Sequence, residues 1–246
     1  MMVDNPWPSL PDSPPFVLAD DKRAIEAFNQ KAKKNAIIQT DMLPEPFVGS
    51  LHAPVFVLLE NPGAGGGEED FALHRQPEFQ RRVRVCHQQL PSQFPHYFLN
   101  PKTKGPGARW TEKKLKPLIE AFDVRVVASG VTFLEYFPYH SENFAHGRLI
   151  LPSQTFTFDA VRAAVGRGAT IIITRGRKLW EKAVPELITH SLVFETSSKQ
   201  NVVISEKNCR FDALPFYKGN GPAEPPHDRP SGYEAVVAAL KKVAAA

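Results

Sequence analysis

The sequence predicts an α/β protein: three layers, α/β/α, around a central four-stranded parallel sheet. Three observations lead there. Apolar runs of strand length recur at 55–59, 131–137, 169–174 and 191–195. Segments with helical spacing separate them, so strands alternate with helices. The run Val55-Phe56-Val57-Leu58-Leu59 is apolar throughout, which suits a strand covered on both faces. No repeat or compositional break marks a second domain. The chain therefore reads as one domain (1–246) with a proline-rich arm (1–19) and a C-terminal helix (231–243).

The elements follow in order. Five prolines before Phe16 predict an irregular arm. Ile25, Phe28 and Ala32 have the spacing of an amphipathic helix from Asp20 to about Asn35, with Asp20 or Asp21 as its cap. Pro44 to Ser50 leads extended into the strand at 55–59. That strand must stop before Pro62, because proline cannot donate to a central ladder. Ala64-Gly65-Gly66-Gly67 reads as a loop, and Glu68 to about Gln89 as a helix. Residues 91–110, rich in proline and glycine, read as a long loop, and Thr111 opens a helix to about Ala121. A strand at 131–137 precedes Pro138. Gln154 to Gly166 is helical, 169–174 is a buried strand, and a helix over 176–188 follows directly. After a short strand at 191–195 come a loop over 197–209 and a proline- and glycine-rich stretch over 214–232. Ser231 caps the last helix.

Composition narrows the class. With 42% hydrophobic and 23% charged residues, the chain is an ordinary globular protein. No apolar run reaches the roughly 18 residues of a membrane helix, and the acidic, proline-rich start lacks a signal peptide's pattern, so a cytoplasmic location is expected. Cys86 and Cys209 are far apart and form no CxxC pair, which predicts free thiols. Lys plus Arg exceeds Asp plus Glu by four (30 against 26), a balance that permits a nucleic-acid partner without demanding one. No metal signature, cofactor motif or protein-partner motif stands out. The glycines at 63–67 lack the pattern of a dinucleotide fingerprint or a P-loop, and there is no GxSxG elbow.

The strand ends carry the chemistry. They read Asn61-Pro62-Gly63, Tyr139-His140-Ser141 and Arg175-Gly176-Arg177, and Ser197 to Ser205 follows the fourth strand. In a parallel sheet all four groups face one crevice, where ligands bind. Asn61 offers amide donors and an acceptor at its mouth; Asn-Pro-Gly is equally compatible with a plain turn. His140 suits a catalytic acid or electrostatic donor near neutral pH, or a structural role. Phe71, Phe94, Tyr97, Phe98 and Trp110 lie among basic residues, as base-stacking or as packing aromatics.

These pieces resemble the uracil-DNA glycosylase superfamily. The resemblance rests on the buried strand ending in Asn-Pro-Gly (57–63), the strand end at 131–141, the strand and helix at 170–188, and Gln200 to Ser205. It covers roughly residues 45–210. It implies that Asn61 places the attacking water and that Phe71 stacks on the extruded base. Gln200 takes the family's His/Asn place, Asn201 its proline place, and Ser205 its serine place. Glu135 or the Tyr139-His140 region stands where the family reads the base with asparagine. The expected site is thus Asn61 and His140 as catalytic residues, with Pro62, Gly63, Phe71, Glu135, Tyr139, Ser141, Arg175, Gln200, Asn201 and Ser205 binding substrate. The expected function is hydrolysis of the N-glycosidic bond of a damaged or mismatched base in DNA; the alternative is a non-catalytic nucleotide- or nucleic-acid-binding protein on the same fold.

Overall fold

The computed structural model describes residues 4–65, 67–197, 202–209, 211–212 and 230–245. The molecule is mixed α/β. Among the described residues its sheet has six strands: β1 (Phe47–Val48), β2 (Val55–Leu59), β3 (Val131–Glu135), β4 (Thr170–Ile173), β5 (Val193–Glu195) and β6 (Phe211–Asp212), in the order β1-β3-β2-β4-β5-β6. The inner ladder β3-β2-β4-β5 is parallel, while β1 and β6 run antiparallel at the edges. A purely parallel four-stranded sheet was therefore too small an expectation. Each added edge strand is only two residues long, below any pattern a sequence window detects.

The helices are α1 (Ala19–Asn29), α2 (Glu68–His74), α3 (Pro77–His87), α4 (Pro106–Ala121), α5 (Val124–Gly130), α6 (Gln154–Gly166), α7 (Arg177–Ala183) and α8 (Gly232–Ala244). Helix α1 starts at Ala19, with Leu18 rather than either aspartate at its N-cap, and Asp20 and Asp21 in the first turn. The helix expected over 68–89 is two helices, because Pro77 opens α3 and cannot continue α2. The loop expected over 91–110 holds a 3-10 turn at Tyr97–Leu99, and α4 begins at Pro106, where proline suits the first helical turn. Pro185 ends α7 early in the same way. Ser231 does cap α8, in a capping box with Glu234.

Residues two apart on a strand share a face, and register partners on neighbouring strands share it too. Phe133, Glu135, Val57, Leu59, Ile172 and Phe194 thus form one face. Trp110 of α4 packs on Phe133, and Gly232 of α8 lies against Phe194. On the opposite face, Phe47 meets Phe156 of α6, and Glu195 takes an ion pair from Arg177 of α7. Helices accordingly cover both sides. Val55 to Leu58 are wholly buried between them, each such side chain stabilising by roughly 1.5–3 kcal/mol. The proline arm is anchored as well: Trp7, Leu10, Phe16, Val17 and Leu18 join the core. No helix among the described residues is long and apolar enough to cross a membrane.

Candidate functional site

A hollow of about 800 Å³ opens at the carboxyl ends of the parallel strands. Its position follows from the two periodicities. Phe133 and Glu135 project from the last turn of pleat on β3, with Leu59 beside them on β2. Above them, Gly107, Trp110, Thr111 and Lys114 share one stripe of α4, at helical spacing. Gly107 permits this approach, since a Cβ there would sit 2.6 Å from the Phe98 ring. Phe98, Trp110, Phe133 and Phe144 supply aromatic walls.

Most of the expected site converges here. Asn61, Pro62, Gly63, Glu135, His140, Ser141 and Arg175 all line the hollow. The strand-end segments run side by side: Gly63 bridges Ser141, whose amide donates to the Pro62 carbonyl at 3.3 Å. Asn61 is half-buried, and Nδ2 donates to the Pro62 carbonyl at 2.9 Å and to Ser141 Oγ at 2.9 Å. A carbonyl only accepts, so this nitrogen assignment is fixed by its partner. Ser141 in turn donates to the Asn143 carbonyl at 3.2 Å. The Asn61 Oδ1 acceptor then has no hydrogen-bond donor among the described residues.

Other expectations are corrected. Tyr139 points away from the hollow, because its hydroxyl is buried against Asp21 Oδ2 at 2.8 Å and accepts from the Leu18 amide. It pins the N-terminal arm instead. Phe71 sits half-buried on α2 outside the lining. Ser205 also lies outside it, caught in a local turn where its carbonyl accepts from Asn208 and Cys209. Gln200 and Asn201 fall outside the described residues, and among the described residues of their loop only Val202 reaches the hollow. Lys114 carries it there by donating to the Val202 carbonyl at 2.9 Å. His140 lines the hollow, but its ring nitrogens face the carbonyls of Gly63 and Leu43 at 2.9 and 3.0 Å. Those contacts tie two loops together, so the ring is not free to donate to a departing group. Burial holds it near a pKa of about 4.

Several functional candidates were not visible in the sequence. Glu45, Asp70 and His74 line the hollow from segments with no recognisable motif, and Glu60 joins them from the residue before Asn61. Glu45 and Glu135 are both deeply buried. Burial pushes the Glu45 carboxyl up to about 8, with Asp70 adding to the rise, and pushes that of Glu135 well above its usual range, with Glu45 adding to it. Glu135 Oε2 has no hydrogen-bond partner among the described residues. The Lys114 ammonium stands 4.6 Å over the Trp110 ring, and burial is the main cause that brings it down to about 8, followed by Arg175. Glu45, His74 and His140 also bring one potential ligand atom each to within 4.8 Å of one another. A floor of carboxyls with aromatic walls suits a flat, neutral group bearing N–H donors better than it suits a phosphate.

Comparison with protein families, with curated proteins and with solved structures finds no match to this chain. The residues of the hollow must therefore carry the functional argument themselves.

Proposed function

We propose that the chain hydrolyses the N-glycosidic bond of a damaged or mismatched base in DNA, on a uracil-DNA glycosylase-like arrangement of three layers and four central parallel strands. The observation that carries this reading is the state of Asn61. Its nitrogen is held by two acceptors, and its oxygen is left to accept a hydrogen bond from a water at the mouth of an aromatic-walled hollow. A base must leave the duplex stack before such a site can act on it, and an aromatic pocket repays part of that cost. Trp110, Phe98 and Phe144 would flank the base, taking the stacking role that Phe71 is not placed to fill. Glu135 would meet its polar edge. Asn61 would orient water toward the sugar carbon, and Lys114 and Arg175 would stabilise the departing anion.

The second reading is a nucleotide- or nucleic-acid-binding protein without turnover. It is favoured by His140, whose ring nitrogens are both engaged by backbone carbonyls. One experiment separates the two. Oligonucleotides carrying uracil, mismatches or a panel of damaged bases are incubated with the protein, then heated in alkali to cleave abasic sites. Cleavage that disappears in Asn61→Ala supports hydrolysis. Salt-sensitive binding without cleavage supports the second reading. No binding and no cleavage at low salt counts against both.

A further inference from the structure

Glu45, His74 and His140 come from three separate places: the segment before β1, the end of α2, and the loop after β3. They meet at the floor of the hollow, each with less than a tenth of its surface exposed. Two observations single the cluster out. Glu45 Oε1 is fully buried without a hydrogen-bond partner among the described residues, and the Tyr97 hydroxyl beside the carboxyl only partly offsets the rise that burial causes. His74 Nε2 stands 3.7 Å from that same oxygen. The second observation concerns His140. A neutral imidazole carries one N–H, yet both of its nitrogens face carbonyl oxygens, at 2.9 and 3.0 Å. Whichever nitrogen lacks the proton therefore presents its lone pair to another lone pair. An ion bound to that nitrogen removes the conflict once the facing carbonyl moves aside.

We propose that Glu45, His74 and His140 bind a single first-row divalent cation, of the Zn²⁺ kind, at the floor of the hollow. Two imidazoles and one carboxylate are a donor set that such ions take, leaving further positions for water or a ligand. All three residues line the hollow, so those positions face it. His140 has the outer partner that a ligand histidine needs, since one ring N–H can donate to a backbone carbonyl, but the carbonyl facing the other nitrogen, that of Gly63 or Leu43, has to give way to the ion. His74 has to adjust. Its Nδ1 now accepts from the Leu43 amide at 3.2 Å, the longest hydrogen bond in the cluster, and an ion on Nε2 places the ring proton on Nδ1. That amide must then turn aside.

The test uses the full-length chain, stripped with a chelator and titrated with Zn²⁺ by calorimetry, with metal content measured after gel filtration. One equivalent is expected to bind. Glu45→Gln and His74→Gln should each weaken binding more than about 100-fold, whereas a control lacking the exposed His52 should match the native chain. If either variant fails to fold, Co²⁺ added to the native chain decides: selective broadening of the His74 and His140 ring resonances supports the site. Absence of a stoichiometric ion, full retention in both folded variants, or ring resonances unmoved by Co²⁺ overturns it. None of these readouts requires turnover, so failure here leaves the glycosidic-bond reading untouched.

Discussion

Replacing Lys114 by methionine should stabilise the protein at neutral pH. The same change should remove a rise in stability that the native chain shows between about pH 8 and pH 10.5. Lys114 is buried, donates to the Val202 carbonyl at 2.9 Å and rests over Trp110. Burial lowers its ammonium from 10.5 to about 8, which makes the charged form roughly 3 kcal/mol less favourable in the folded chain than in the unfolded one. Between those two pH values the unfolded chain binds more protons than the folded one, so stability increases with pH across that window. Below it, the full cost is present. Methionine has a similar length and no charge, and it forgoes a hydrogen bond of about 1–2 kcal/mol. The expected net gain near pH 7 is about 1–2 kcal/mol. Urea denaturation of both proteins at a series of pH values measures it. The difference between the two curves isolates Lys114, because the buried tyrosines titrate in both. A native chain whose stability runs parallel to that of the variant from pH 7 to 10.5 would refute the assigned burial cost.

The remaining predictions concern the hollow and its frame. Ser141→Ala removes one of the two acceptors that hold Asn61 Nδ2; on the proposed function, base release should fall about 10-fold, the scale of one lost hydrogen bond, with the melting temperature nearly unchanged. Trp7 and Trp180 are fully buried away from the hollow, while Trp110 lines it. Nucleobase binding should therefore quench tryptophan emission, and Trp110→Phe should abolish the quench. Gly49 adopts φ +127°, and a Cβ there would stand 2.5 Å from Thr132 Oγ1 and 2.9 Å from its backbone Cα. Gly49→Ala should cost at least about 2 kcal/mol by thermal or chemical unfolding. Asp21 accepts from the Tyr139 hydroxyl and the Ser153 amide. Asp21→Ala leaves that hydroxyl buried without its acceptor and should destabilise by about 1–3 kcal/mol, with increased proteolysis of the arm as the readout.

The residues by themselves determined the β/α alternation, the strand at 55–59, the stop at Pro62 and the cap at Ser231. These are local effects: apolar run length, a missing N–H and a side-chain oxygen at the right spacing. They also brought Asn61, His140, Ser141 and Arg175 to one rim, because parallel strands put their carboxyl ends together. Which of those side chains enters the hollow was decided by tertiary contacts. Tyr139 turns inward since Asp21, distant in sequence, supplies a buried acceptor. His140 is bracketed by carbonyls from Leu43 and Gly63. Glu45 and His74 carry no motif, and they become neighbours of His140 only when the segment before β1 and helix α2 fold over the same edge. Local pattern specifies elements, whereas the company a buried polar group keeps depends on where remote segments come to rest.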